Sequence, residues 1–181
     1  FNSVPAYVAE SGDTKFYDLV VPYADKGKAT VFGHLRRALE FNLERTGKHG
    51  LPCGLLADWN DCLKLGYKGE SVFVTFQLRF GLKTYAEIAT QLGKPKEAKW
   101  ALAELAKLDK KIAKVCWDGG WFIWAISEDG VVFGTKKAKE GQIYVNTQVW
   151  AVLSGAATPE QTDKALAAVQ SRLASDYGVA L

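Results

Sequence analysis

Two carboxylates and an indole lie within four consecutive residues of this chain, inside a loop bounded by glycine and proline. The stretch reads G-L-P-C-G-L-L-A-D-W-N-D-C at residues 50–62 and contains Asp58, Trp59 and Asp61. An aromatic ring can stack on the apolar C–H face of a pyranose, and a carboxylic acid can protonate a glycosidic oxygen as it leaves. These residue types, so close together, indicate chemistry on a sugar.

The same carboxylates also have a purely structural interpretation. Asp58 and Asp61 are three positions apart and precede an apolar run, so either side chain could cap a helix or form a turn. The D-W-N-D tetrapeptide alone leaves both interpretations open.

The longer sequence around this loop resembles the central signature of the cellobiose phosphorylases of glycoside hydrolase family 94. The loop is followed by G-E-S-V-F-V at 69–74, W-D-G-G-W-F at 117–122 and E-G-Q-I-Y-V-N-T-Q at 140–148, in the family's order. Upstream, V-P-Y-A-D at 21–25 also fits. The resemblance covers nearly the whole chain and is most specific at 50–62.

The resemblance implies a disaccharide phosphorylase, an enzyme of the glycosyltransferase type in carbohydrate metabolism. Its reaction is inverting phosphorolysis of a β-1,4-linked glucose disaccharide, in which cellobiose and phosphate give α-glucose 1-phosphate and glucose. One carboxylic acid protonates the departing oxygen while phosphate attacks the anomeric carbon. The resemblance assigns the acid to Asp61 and places Trp59 in the sugar site. It implies inorganic phosphate as co-substrate, no metal and no organic cofactor, and it carries an expectation of homodimer formation.

Four further residues are candidates for contact with the sugar. Glu140 is the carboxylate of a family block, where a contact with a sugar hydroxyl competes with an ordinary surface-loop role. Thr147 and Gln148 follow in the same block, and Asp58 has either a sugar contact or a turn-forming role.

A cluster of tryptophans could stack on an acceptor sugar, although aromatic residues at such spacing are typical of a hydrophobic core. Its members are Trp117, Trp121, Trp124 and Trp150. Two other functions stay open. An inverting β-glucoside hydrolase would use Glu140 as the base that activates water, and a chain complete at 181 residues would instead be an inactive carbohydrate-binding or structural piece.

The length favours a segment of a larger protein. The 181 residues suffice for one compact domain, whereas the resembled family runs to several hundred. The chain contains no methionine and opens on Phe1 within a family block. We therefore expect residues 1–181 to form a single segment of a larger catalytic domain, inactive when isolated.

The composition is that of an ordinary globular protein, with 48% hydrophobic and 24% charged residues and a net charge of +3. Nucleic acid is therefore not an expected partner, and no apolar run approaches the ~20 residues that span a membrane. The three cysteines, Cys53, Cys62 and Cys116, lack the spacing of a zinc site or disulfide framework. They are predicted to be small buried packing residues, and free thiols favour a cytoplasmic location.

Apolar periodicity predicts a mainly α chain. Helices are predicted at 29–45, 70–92, 95–115, 146–154 and 159–175. Alternation over 120–135 with the turn signal E-D-G predicts an inserted β-hairpin. Paired helices with an inserted hairpin resemble part of an (α/α)6 barrel, the catalytic architecture of the family, in which loops at one end of the helices form the sugar site.

Overall fold

The computed structural model describes residues 1–55, 60 and 62–181. Six α-helices lie in this part of the chain: α1 (Ser3–Ser11), α2 (Val31–Glu44), α3 (Val72–Gln91), α4 (Pro95–Val115), α5 (Val145–Leu153) and α6 (Pro159–Arg172). The strands are short: β1 (Val20–Pro22), β2 (Lys28–Thr30), β3 (Glu70–Ser71), β4 (Ala125–Ile126), β5 (Val132–Phe133), β6 (Ala174–Ser175) and β7 (Gly178–Val179).

The predicted helices are confirmed, with differences at their ends that have local causes. The helix predicted from residue 29 begins at Val31, because the Thr30 side chain caps it by accepting a hydrogen bond from the Gly33 N–H at 3.0 Å. Ser71 caps α3 in the same way, so Glu70 lies in a strand. The last helix ends at Arg172 because the following residues form the β6–β7 pair. Helix α1 was not predicted.

Two short and two long segments connect the helices from α2 onward. Residues 92–94 join α3 to α4, and residues 154–158 join α5 to α6. The first long connection, residues 45–71, leads into α3, and the second long connection, residues 116–144, leads from α4 into α5.

Both long connections lie at the same end of the helices. Helix α3 packs against α2, α4 and α5. Since only three residues join α3 to α4, the two helices run antiparallel, and α4 ends where α3 begins. The short connections are left at the opposite end.

A small antiparallel sheet joins the two long connections directly. Its strand order is β3-β4-β5, and Glu70 pairs with Ile126 across the β3–β4 boundary. Strands β4 and β5 pair antiparallel across the turn at 128–130, with the Ser127 N–H donating to Val131 O at 2.8 Å. The ordered pairing involves two residues per strand, a shorter stretch than the alternation over 120–135 predicts.

The core is centred on α3, where Phe76, Leu82 and Tyr85 are completely buried. Arg79 of α3 forms an ion pair with Asp109 of α4 and donates a hydrogen bond to the Ser154 carbonyl after α5. The Arg79 side chain thus links α3 to α4 and to the end of α5. Among the described helices, none combines the length and the apolar character needed to cross a membrane.

Candidate active site

The first long connection carries D-W-N-D, and three of the predicted site residues, Asp58, Trp59 and Asp61, lie outside the described residues. Asn60 is described and forms a turn with Cys62 and Leu63. Its side-chain oxygen accepts from the Cys62 N–H at 3.0 Å, and its carbonyl accepts from the Leu63 N–H at 2.9 Å. The Asn60 side chain thus stabilises the turn that leads to Cys62 and Leu63.

The residues that precede this tetrapeptide are bound to the ends of α2 and β3. The Cys53 N–H donates to Arg45 O at 2.9 Å, and the Gly54 N–H donates to Gly69 O at 3.0 Å. Leu55 comes next with φ +55°, the one non-glycine residue with a positive φ among those described. Such a conformation costs about 1–3 kcal/mol and persists only where surrounding contacts fix it.

Glu70 binds the residues that lead into this segment. Its side chain is only 2% exposed, and Oε1 accepts hydrogen bonds from the His49 N–H at 2.8 Å and the Leu51 N–H at 3.0 Å. Oε2 lies 2.5 Å from His49 Nδ1. On the other side of the segment, Lys111 of α4 donates to Gly50 O at 2.9 Å. Residues 49–51 are therefore held between a buried anion and a cation.

The residues beyond D-W-N-D are anchored by apolar packing. Leu65 is buried in a cluster with Phe73 and Trp124. The Leu65 carbonyl accepts from the Glu128 N–H of the second long connection at 2.8 Å. The two long connections thus contact each other at the residues that follow D-W-N-D.

The second long connection folds around its tryptophans. Trp124 is 2% exposed and its ring lies 3.8 Å from that of Tyr144, centroid to centroid. Trp121 is buried, and its indole N–H donates to Gly134 O at 2.9 Å and to Gln142 O at 2.7 Å. Both tryptophans are core residues, the second of the two interpretations that the sequence left open.

The three described candidates of the sugar site lie in different environments. Glu140 is exposed on the second long connection. Gln148 is completely buried, with its oxygen accepting from the Phe122 N–H at 2.9 Å and its nitrogen donating to Phe122 O at 2.8 Å. The structure thus shows Gln148 holding the second long connection onto α5.

Thr147 is also completely buried, in the first turn of α5. Among the described residues, two buried side-chain atoms lack a hydrogen-bond partner, Thr147 Oγ1 and Asn146 Nδ2. Buried polar groups normally have partners. These two atoms therefore have no hydrogen-bond partner among the described residues.

The cysteine prediction is correct at two positions and wrong at the third. Cys53 and Cys116 are buried, and burial raises the pKa of both thiols. Cys62 is exposed, because it belongs to the turn made by Asn60 and not to a helix. In the part of the chain that the structure describes, no three side chains of His, Cys, Asp or Glu come together as metal ligands.

The sequence pattern of the Glycosyl hydrolase 94 superfamily, catalytic domain, matches residues 1–181. The chain belongs to this family. The match includes both long connections and all six helices, so the family assignment applies to the whole arrangement and not to the D-W-N-D loop alone.

Similar curated proteins carry phosphorylase names. The chain is 39% identical over 177 residues to the N,N'-diacetylchitobiose phosphorylase of Vibrio proteolyticus, covering 97% of this chain and 22% of that protein. It is 37% identical over 180 residues to the solabiose phosphorylase of Paenibacillus borealis (97% and 23%). Identity to the cellobionic acid phosphorylase of Neurospora crassa is 37% over 188 residues (98% and 23%). The chain thus spans less than a quarter of the length of these relatives.

A solved structure shares the fold. The GH78 family rhamnosidase of Bacillus sp. GL1 superposes with a TM-score of 0.69 at 22% identity, over 97% of this chain and 17% of that chain. The prediction of a mainly α part of an (α/α)6 barrel is confirmed.

The sequence analysis missed the contacts of Glu70 and His49. Glu70 enters only as part of G-E-S-V-F-V and of the helix predicted at 70–92, and His49 is not singled out. One signal was present, since Glu70 directly precedes Ser71 and a strongly apolar segment, which places a carboxylate next to residues that are expected to be buried. A buried carboxylate requires donors.

Proposed function

We propose that this chain is part of an inverting disaccharide phosphorylase that cleaves a β-1,4-linked glucose disaccharide, with Asp61 as the general acid. Cellobiose and inorganic phosphate would give α-glucose 1-phosphate and glucose. The observation that carries the proposal is the family match over residues 1–181. The described residues that flank D-W-N-D belong to the first long connection, at the end of the helices where both long connections meet.

In the proposed reaction a phosphate oxygen forms a bond to the anomeric carbon as the bond to the glycosidic oxygen breaks. The departing oxygen takes its proton from the Asp61 carboxyl group, and inversion converts the β-glycoside to the α-phosphate. The acid must be protonated before each cycle, which a neighbouring carboxylate such as Asp58 and an apolar ring such as Trp59 would favour. No metal or organic cofactor takes part.

Further residues complete the proposed sugar site. Trp59 would stack on the glucose ring, and Glu140, exposed on the second long connection, would contact a sugar hydroxyl. Thr147 would contribute its unpaired hydroxyl. Gln148 of α5 would line the same sugar site while its amide group stays hydrogen-bonded to the main chain of Phe122.

The sugar itself is the finer part of the proposal. The named relatives share phosphorolysis and differ in the disaccharide, which is diacetylchitobiose, solabiose or cellobionic acid. We propose cellobiose for this chain, acting within a longer catalytic domain of a cytoplasmic homodimeric enzyme that contains residues 1–181.

The test is an assay of the full-length protein with cellobiose, with and without phosphate. We expect α-glucose 1-phosphate only when phosphate is present, and a loss of about 10²–10⁴-fold in kcat for Asp61→Asn, the usual contribution of general acid catalysis. Asp129→Asn, on the exposed turn at 128–130, is the matched control and should leave the rate unchanged.

Three results would contradict the proposal in different ways. Glucose release without phosphate would indicate a hydrolase. Full activity of Asp61→Asn would remove the proposed acid. Faster phosphorolysis of diacetylchitobiose or cellobionic acid than of cellobiose would keep the reaction and change the sugar.

A further inference from the structure

We propose that Glu70 is the positioning residue for the general acid, an inference that rests on the proposed phosphorylase function. Its carboxylate would fix residues 49–51 and, through them, the path of the chain into D-W-N-D. Glu70 itself would not contact the sugar, because its side chain is buried beneath these residues.

The hydrogen bonds described for the Glu70 side chain all go to residues 49–51 of the first long connection. Both of its oxygens are occupied by donors from residues 49–51, two of them main-chain N–H groups at 2.8 and 3.0 Å. A buried carboxylate is costly unless it is hydrogen-bonded, so these donors and the anion stabilise each other. The bonds therefore define the backbone of residues 49–51 and not merely a side chain.

The segment held in this way runs directly into the proposed acid loop. From Leu51 the chain passes Pro52, whose carbonyl accepts from the Ser71 N–H at 2.9 Å, and reaches Leu55 with its positive φ. A strained residue keeps its conformation only when the flanking backbone is fixed. Glu70, next to Ser71 in β3, provides part of that fixation.

Close approach of the chain to Glu70 is built into the sequence. A methyl group added at Gly47 would meet the Glu70 side chain and the Lys68 carbonyl. Glycine at this position therefore allows the first long connection to close around the carboxylate. The pocket beside it, about 300 Å³ in volume, is lined by Glu70 and by Glu128 of the second long connection.

A misplaced acid has a specific kinetic consequence. Displacing a catalytic group by about 1 Å can reduce a rate by about 10²-fold. If Glu70 acts through Asp61, its loss should matter only where the leaving oxygen needs a proton. Cleavage of an aryl glycoside with a very acidic phenol as leaving group needs almost no general acid, so it provides the necessary comparison.

The experiment measures phosphorolysis of cellobiose and of 2,4-dinitrophenyl β-glucoside by the full-length protein. For Glu70→Gln we expect a fall of about 10²-fold in kcat on cellobiose, KM nearly unchanged, and a much smaller fall on the dinitrophenyl substrate. Asp61→Asn should show the same selectivity with a larger effect. Glu128→Gln, an exposed glutamate on the same pocket, is the matched control and should match wild type on both substrates.

A second variant covers the case in which Glu70→Gln does not fold. His49→Gln leaves Glu70 and its two main-chain hydrogen bonds in place and replaces only the imidazole, which is 37% exposed. For His49→Gln we expect kcat to fall more on cellobiose than on the dinitrophenyl substrate, with a smaller fall than in Glu70→Gln. Hydrogen exchange of the 49–51 amides should be faster in Glu70→Gln than in Glu128→Gln.

The outcomes separate the two proposals. Equal losses on both substrates, or no loss on cellobiose, would overturn the positioning role while Asp61→Asn still shows the selective loss. If Asp61→Asn retains full activity, or if wild type cleaves neither substrate with phosphate, the proposed function fails first and the role of Glu70 with it.

Discussion

The two long connections meet at one end of the helices, but the side chains that anchor them differ in chemical type. The first is held by a buried charge, since the Glu70 carboxylate binds the N–H groups of His49 and Leu51. The second is held by buried aromatic rings, Trp121 and Trp124, and by the neutral amide of Gln148. Hydrogen bonds to main-chain groups occur in both connections, but the Glu70 anchor of the first is a buried carboxylate and the Gln148 anchor of the second is a neutral amide. The connection with the proposed acid has the charged anchor.

Removing the shared apolar anchor should give the largest effect on stability. Trp124 packs against Leu65 of the first long connection and Tyr144 of the second. For Trp124→Ala we expect a loss of about 3–5 kcal/mol in the free energy of unfolding, because a large buried ring leaves a cavity. Urea unfolding of the full-length protein measures it.

Tyr67→Ala is the control for this change, since Tyr67 lies in the first long connection and is 65% exposed. Its effect should stay within about 0.5 kcal/mol. Equal effects of the two substitutions would show that the connections are not held together through Trp124.

A smaller effect should follow from crowding the charged anchor. In Gly47→Ala the added methyl group meets Glu70 and the backbone of Lys68, so we expect a loss of about 1–3 kcal/mol. Gly120→Ala is the matched control in the second long connection, where a methyl group would meet nothing within 4 Å. The difference between the two urea midpoints measures the tightness of the first connection.

If Gly120→Ala proved as destabilising as Gly47→Ala, the first connection would not be the more tightly fitted of the two. A second result would be a destabilised Gly47→Ala in which hydrogen exchange of the 49–51 amides stays as slow as in wild type. That result would show that the added methyl group does not act through the hydrogen bonds of Glu70.

The smallest perturbation is alkylation of the thiols. Its rate at each cysteine measures how well the surrounding structure shields that thiol from the reagent. Burial raises the pKa of Cys53 and Cys116, so both stay protonated at pH 8, and the protonated thiol is not the nucleophile. Cys62 is exposed, two residues beyond Asn60. We expect iodoacetamide to label Cys62 first, as measured by peptide mass mapping. Labelling of Cys53 at the same rate would mean that the anchored part of the first connection opens readily.

The sequence was sufficient for helices α2 to α6, but not for α1 or for the contacts that hold the loops. The predicted bounds of α4 match the structure, because Pro95 marks its start and its buried residues recur at helical spacing. The first residues of α2 and α3 were predicted too early, since Lys28–Thr30 and Glu70–Ser71 pair with strands outside their own helical segments. Periodicity within one segment carries no information about such partners.

For the candidate site too, the sequence predicted which residues belong to it but not which contacts they make. Family blocks named Glu140, Thr147 and Gln148, but only the folded chain shows that Gln148 binds Phe122 and that Glu140 is exposed. The pairing of His49 with Glu70 joins residues whose contact depends on the path of the first long connection. Neither residue type nor spacing determines that path.

The unequal lengths of the connections also bear on the order in which the chain folds. The α3–α4 hairpin closes over residues 92–94, whereas Glu70 and Ile126 must meet across the whole of that hairpin. Loop-closure entropy rises with the logarithm of chain length, which makes the second closure about 2–3 kcal/mol more costly. Local contacts form before distant ones for the same reason. The helical hairpin thus provides a template on which the β3–β4 pairing between the two long connections forms afterwards.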